Sequence, residues 1–151
     1  MSDINPILLA ADHAGFKLKN ELKQKLTEQN FKLDDLTPKL LKPDDDYPDV
    51  AQILAKKVQE TDGRGILICG SGNGVCLAAN KVKGIRAALG YNTQSAKWAS
   101  EHLNANVLCL AGAILSPEYA ISIVKHWLET PFSEDERHKR RLEKIKQLEN
   151  I

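Results

Sequence analysis

A chain of 151 residues is long enough to bury one core and too short for a second catalytic domain. Hydrophobic residues make up 42% and charged residues 27%, the balance of a soluble globular protein, which excludes disordered, fibrous and membrane-embedded classes. A formal net charge of +1 supplies no long-range field toward nucleic acid or anionic lipid, so an anionic ligand must be captured locally.

Met1-Ser2-Asp3-Ile4 lacks the basic segment and apolar core of a signal peptide, and no apolar run reaches the roughly 18 residues that span a bilayer. A cytoplasmic location is therefore expected. The first apolar run, Ile7-Leu8-Leu9-Ala10, reads as a strand. Ala14 to Gln29 reads as a helix, because Leu18, Leu22 and Leu26 recur every fourth residue along one stripe. Phe31 to Leu36 alternates as an edge strand does. Thr37 to Pro48, with three prolines and three consecutive aspartates, is a loop with Tyr47 near its end. Asp49 is placed to cap a helix whose Val50, Ile53, Leu54 and Val58 share a face, and Gly63 with Gly65 ends it. Ile66-Leu67-Ile68-Cys69 is the third strand. It runs into the tight loop Gly70-Ser71-Gly72-Asn73-Gly74, followed by a helix over 75–82 and a fourth strand over 85–89. The spacing predicts a helix over 93–103, a fifth strand over 107–111, and a helix opened by Ser116-Pro117 in which Ala120, Ile123, Val124, Trp127 and Leu128 form the buried stripe. Ser133 and Glu136 stand three apart as a capping box for a charged last helix with a thin stripe of Leu142, Ile145 and Leu148. Such a stripe suggests docking on another surface, a second subunit among them. The alternation of short apolar runs with helical segments predicts a single α/β domain over 1–151: a three-layer α/β/α sandwich with a five-stranded parallel sheet, Rossmann-like.

The glycine-rich loop after a buried strand can turn its backbone N–H groups toward an anion or a developing oxyanion, or it can simply reverse the chain. It is not a P-loop, because no Gly-Lys-Ser/Thr follows, and Val75 stands where a dinucleotide fingerprint needs its third glycine. Cys69, at the strand end, is either a base or nucleophile beside a helix N-terminus or a small apolar residue finishing a strand. Cys76 and Cys109 fit the second description, and three cysteines in apolar or Gly-rich segments point to reduced thiols. Asp12-His13 follows the first strand, where open α/β sheets gather ligand-binding groups, although Asp12 can equally cap a helix. His102 is a candidate ligand or a helix-end imidazole, and His126 reads as structural. Arg137 and Arg141 share a helical face that suits a phosphate, or a solvated face paired with Glu134, Glu136 and Glu143. The basic stretch is short and carries no interleaved aromatics, which argues against nucleic acid. No histidines or carboxylates stand at metal-ligand spacing and no C-x-x-C pair occurs, so neither metal nor cofactor is expected.

Taken together, Ala11-Asp12-His13-Ala14-Gly15, Asp46-Tyr47-Pro48, Gly65 to Gly74, Ala78-Ala79-Asn80-Lys81 with Gly84-Ile85-Arg86-Ala87, and Arg137-His138 with Arg141 resemble the type B ribose-5-phosphate isomerase family, which also includes galactose- and allose-phosphate isomerases. The resemblance runs nearly end to end. It implies conversion of ribose 5-phosphate to ribulose 5-phosphate without a cofactor, with Cys69 as the proton-transfer base. By the same resemblance, Ser71 assists at the sugar oxygens, and His102, oriented by Asp12 or a neighbour, opens the ring. His13, Arg137 and Arg141 fall on phosphate-binding positions, Tyr47 on the sugar pocket, and the amides of Gly70, Gly72, Asn73 and Gly74 on the enediolate cradle. It further implies a homodimer or homotetramer with the site between subunits and the segment 133–151 in that contact. Two departures fall on the substrate side: Leu103 replaces a common asparagine, and Ala113 replaces an arginine that many members direct at a neighbouring subunit's phosphate. A charge-assisted hydrogen bond contributes about 1.5–3 kcal/mol, enough to redirect substrate choice. Another aldose phosphate of four to six carbons, or a sugar-phosphate-binding subunit without turnover, are the alternatives.

Overall fold

The structure, a computed structural model, describes residues 5–40 and 42–151. Expectations attached to Met1–Ile4 and to Leu41 lie outside the described residues. Strands β1 (Ile7–Ala11), β2 (Leu33–Asp35), β3 (Gly65–Cys69), β4 (Ala87–Leu89) and β5 (Val107–Ala111) form one sheet in the order β2-β1-β3-β5-β4, every neighbouring pair parallel. Helices α1 (Phe16–Glu28), α2 (Tyr47–Thr61), α3 (Asn73–Ala79), α4 (Thr93–Glu101) and α5 (Pro117–Glu129) connect the strands, and α6 (Glu136–Leu148) closes the chain. Among the described residues no helix is long and apolar enough to cross a membrane.

The three layers follow from the twofold alternation of side chains along each strand. Leu9, Ile66, Ile68, Leu108 and Leu110 pack under α1, α4 and α5, while Leu8, Ala10, Leu67, Cys69 and Cys109 pack under α2 and α3. Both faces are covered, which is why the central strands read as continuous apolar runs. Each fully buried leucine or isoleucine contributes about 1.5–3 kcal/mol, so the two layers are the main source of stability.

Several boundaries differ from those read in the sequence. Helix α2 begins at Tyr47, with Asp46 as the N-cap and Pro48 in the first turn, so Asp49 lies inside the helix and Tyr47 belongs to its N-terminus. A proline is at home in a first turn because the N–H it lacks would have no helical partner. Strand β4 starts at Ala87 rather than Ile85, since both backbone groups of Ala87 are held by the side chain of Asn80, at 2.8 and 2.9 Å. Helix α3 spans 73–79, beginning and ending earlier than expected. The Ser133–Glu136 capping box does not form: Asp135 is the N-cap of α6, and the Ser133 hydroxyl meets His138 Nδ1 at 2.6 Å.

One buried ion pair fixes the edge of the sheet that leads toward the site. Lys19 of α1 is wholly buried, with Nζ 2.9 Å from Asp35 Oδ2, and it also donates to the Thr37 carbonyl. Thr37 Oγ1 accepts the N–H of Ala11, so β1, β2 and the connection after β2 are joined through a single ammonium group. Removing one partner of a buried pair strands the other charge at a cost of about 3–5 kcal/mol. Lys19→Ala should accordingly lower the unfolding free energy by about 3 kcal/mol or more in urea denaturation, and a change below about 1 kcal/mol would show that the pair is not structural.

Candidate active site

Strand order reverses about β1 and β3, and in open α/β sheets ligands bind beyond the carboxyl ends of strands at such a point. Here the β1 end delivers Asp12 and His13, and the β3 end delivers Cys69 and the glycine loop. The two ends approach so closely that a Cβ on Gly15 would stand 2.3 Å from the Ile68 carbonyl oxygen. From the third side Gly112 N–H donates to the Cys69 carbonyl at 2.8 Å, and Ala113 N–H to the Gly70 carbonyl at 3.0 Å. The end of β3 is thus gripped at Ile68 from the β1 side and at Cys69 from the β5 side.

Its thiol points to the face covered by α2 and α3 and is almost entirely buried. Gly72 N–H donates to Cys69 Sγ at 3.2 Å, so the loop does turn an amide on the sulfur. Gly72 adopts φ 78°, the left-handed region glycine permits, and caps α3. Ser71 Oγ accepts from Asn73 N–H at 3.2 Å and lies exposed at the loop tip. Tyr47 covers the other wall: a Cβ on Gly74 would meet its ring at 2.6 Å. Cys76 and Cys109 hydrogen-bond to each other beneath the loop. That bond pushes Cys109, already buried, well above the ordinary thiol value and lowers Cys76.

Asp12 is buried, and its Oδ1 accepts Gly15 N–H at 3.0 Å, the turn-holding role open to it in the sequence. Burial raises its pKa, against the lowering effect of that bond. His13 is half-exposed, with Nδ1 2.8 Å from Asp45 Oδ1. This bond raises the imidazole pKa. One ligand atom from each of Asp12, His13 and Asp45 falls within 4.8 Å of the others, a grouping that spacing along the chain does not reveal. His13 Nδ1 and Asp45 Oδ1 are committed to each other and Asp12 Oδ1 to Gly15 N–H, so each of these atoms already has a partner within the fold.

The remaining predicted residues lie at the opposite edge of the sheet. Helix α4 runs back from the carboxyl edge and ends at His102, three residues before Ala105. Asn106 accepts the N–H of Gly65, the first residue of β3. Arg64, just before β3, donates to Ser100 Oγ at 3.3 Å and to the Trp127 carbonyl at 3.1 Å, which pins the ends of α4 and α5 at this amino edge. Gly65 and Cys69 are separated by four strand steps, roughly 13 Å. The His102 ring lies 4.6 Å from that of His138 and stacks on Trp98, with Nε2 3.6 Å from Glu101. Its neighbours therefore set its orientation, while Asp12 is engaged at the far edge. Arg137 and Arg141 flank His138 on α6, and Arg137 approaches Asp135 at 3.7 Å. A single chain thus assembles two half-sets, one per edge.

Two residues that contact these candidates, Asp45 and His138, were not singled out as site residues in the sequence. Asp45 sat among three adjacent aspartates with nothing to distinguish it, and His138 sat inside a basic run. His138 is buried against His102 and Ser133, which holds its pKa below the ordinary value chiefly through desolvation. A groove of about 510 Å³ lies under α6, between Leu142, Ile145 and Leu148 and the residues Val82, Ile85 and Leu103, well apart from Cys69. The apolar stripe of α6 therefore faces its own domain in part, although Ile145 and Leu148 stay half-exposed or more.

The two perturbed histidines act on stability with opposite sign. His13, raised, stabilises the fold fully below about 6.5, and that contribution is lost as pH rises through the folded value. His138, lowered, contributes above about 6.5, and stability is lost as pH falls through its folded value. Urea melts from pH 5 to 8 should therefore show His138→Gln losing less stability on acidification than the unsubstituted chain. Parallel curves would refute the assignment.

Known proteins share this fold over nearly its whole length. Residues 7–145 match the family model described as Ribose/Galactose Isomerase. The probable ribose-5-phosphate isomerase B of Mycoplasma pneumoniae is 46% identical over 142 residues, covering 93% of each chain. The ribose 5-phosphate isomerase crystal structure from Thermotoga maritima superposes with a TM-score of 0.90 at 38% identity, over 96% of this chain and 99% of that one. The Mycoplasma genitalium enzyme, crystallised with bound ribulose-5-phosphate, gives 0.89 at 43% identity over 96% of both chains. A parallel sheet that gathers Asp12, His13 and Cys69 at one edge, matched along nearly its whole length, places this chain in the ribose/galactose isomerase family as a type B isomerase.

Proposed function

We propose that the protein interconverts D-ribose 5-phosphate and D-ribulose 5-phosphate in the cytoplasm, without a cofactor, at sites shared between two copies of the chain. The observation that carries the reading is the Cys69 sulfur, held at the end of β3 under a loop amide and beside Tyr47 and the Asp12–His13 turn. The relatives named above act on, or carry, these two sugar phosphates.

The chemistry divides by residue. His102 gives a proton to the ring oxygen as the C1–O4 bond breaks, and the C1 hydroxyl returns a proton to the imidazole as it becomes the aldehyde. The Cys69 thiolate then removes the C2 proton. The C–H electron pair becomes the C1–C2 double bond of an enediolate, and the former aldehyde oxygen takes the negative charge. Amides of Gly70 and Gly74 stabilise that oxygen, as preorganised donors do for a charge that develops in the transition state, while those of Gly72 and Asn73, engaged by Cys69 Sγ and Ser71 Oγ, position the base and the hydroxyl. Ser71 passes the O2 proton to O1, and Cys69 returns its proton to C1, leaving the carbonyl at C2. His13 meets the anionic end of the substrate with Arg137 and Arg141. Because the fold sets His102 and both arginines at the amino edge, they serve the Cys69 of a second copy. A twofold dimer, alone or doubled into a tetramer, brings one edge of each chain to each site. The segment 133–151 would then lie along that contact.

Leu103 and Ala113 favour a second reading, an aldose phosphate of four to six carbons such as galactose 6-phosphate or allose 6-phosphate. A coupled assay over a phosphosugar panel should give the highest kcat/KM with ribose 5-phosphate; a larger value for a hexose phosphate would transfer the assignment. Cys69→Ala should lose at least about 100-fold in kcat, the scale of a positioned base, with an unchanged melting temperature. Near-normal turnover would remove the thiol from the mechanism. Mixing inactive Cys69→Ala and His102→Gln proteins, followed by subunit exchange, should recover activity in the mixed dimers, and no recovery would place each site within one chain.

A further inference from the structure

We propose that Asp45 is a positioning residue of the site, holding His13 as a fixed imidazolium whose free Nε2 is presented to the anionic group of the sugar phosphate. This inference rests on the isomerase reading above and adds to it a residue that acts through His13.

The geometry is specific. A single oxygen, Asp45 Oδ1, accepts the backbone N–H of His13 at 2.9 Å and faces its Nδ1 at 2.8 Å. The carboxylate thereby fixes both the main chain and the ring, leaving Nε2 as the outward nitrogen. The asymmetry of exposure agrees: the Asp45 side chain is 2% exposed and that of His13 45%. The second oxygen, Asp45 Oδ2, is buried without a hydrogen-bond partner among the described residues. A buried carboxylate so poorly satisfied is costly unless a cation compensates it, and the cation within reach is His13. The titratable groups that face His13 are Asp12, on its own connection, and Asp45, on the connection before α2. Both favour the charged ring, and Asp45 is the larger influence. With Nδ1–H committed to Asp45, the proton on Nε2 is free to meet an anion, in the way a carboxylate orients and charges its partner imidazole.

The proposal is tested with the full-length enzyme. In the unsubstituted protein, the His13 ring followed by NMR should titrate above about 6.5. In Asp45→Asn the midpoint should fall toward that value. The KM for ribose 5-phosphate should then rise severalfold at a pH between the two measured midpoints and much less at a pH below both, where His13 is charged in either protein, while kcat changes little. Asp45→Glu should restore part of the pH profile. In a His13→Gln background, Asp45→Asn should add no further KM penalty. A His13 midpoint at or below 6.5 in the unsubstituted protein, a KM penalty equal at both pH values, or additive penalties in the double variant would each overturn it. The wild-type titration needs neither turnover nor a stable variant. If ribose 5-phosphate proves not to be a substrate while His13 titrates high, the isomerase reading fails and the Asp45–His13 pairing stands.

Discussion

The backbone crowding around Cys69 is the constraint on which the rest of the site depends. Three segments close on the end of β3, two of them distant in sequence and the third the loop that follows the strand. Gly15 lies against the Ile68 carbonyl, Gly112 donates to the Cys69 carbonyl, and Gly72 donates to the Cys69 sulfur. None of the three contacts leaves room for a side chain. A Cβ on Gly112 would fall 2.9 Å from the Ala14 carbonyl, and one on Gly72 would fall 3.0 Å from the Leu110 backbone. The thiol is therefore placed by main-chain packing, which is stiffer than any side-chain contact, and the loop amides inherit that rigidity. Preorganised donors of this kind stabilise a developing charge without having to move when it appears.

The layered fold could be read directly, because buried parallel strands leave uninterrupted apolar runs and the covering helices leave four-residue periods, as Leu18, Leu22 and Leu26 do. Cys69, Tyr47 and His13 were likewise visible, since each sits beside a turn whose composition advertises it. Asp45 was not. Its significance comes from the folding back of the 37–46 connection onto β1, a contact across 32 residues governed by the buried Lys19–Asp35–Thr37 network. His138 was hidden for a related reason: a histidine among lysines and arginines resembles a solvated face until α6 is seen to lay it on His102. Ser133 misled in the opposite direction. Its hydroxyl suits a capping box, but the imidazole of His138 offers a partner and Asp135 takes the cap. Local rules assign elements well and fail where a long-range partner outbids the local one.

The split between the sheet edges also clarifies the last helix. Among the described residues, few polar contacts tie α6 and its flanks to the rest of the domain: a Gly84 N–H to Glu149 bond of 2.8 Å, a Ser133 N–H to Glu101 carbonyl bond of 3.1 Å, and the paired imidazoles. Its arginines are presented outward at the edge where no thiol waits. Under the proposed twofold arrangement, such a helix, carrying two guanidinium groups on one face, would contribute to a neighbour's site, and the residual exposure of Ile145 and Leu148 would provide apolar surface to seat it.

The glycines of the carboxyl edge also bear on how this sequence can diverge. At Gly15, Gly72 and Gly112 even a methyl group collides with main chain, so drift there is confined to the residue already present. Leu103 and the first turns of α6 carry no such restriction. A lineage adapting to a longer or differently branched substrate would thus accumulate its changes around the histidines and arginines of the amino edge, leaving the thiol cradle untouched. In the proposed dimer, one copy would preserve the inherited reaction while the other renegotiates what it is performed on.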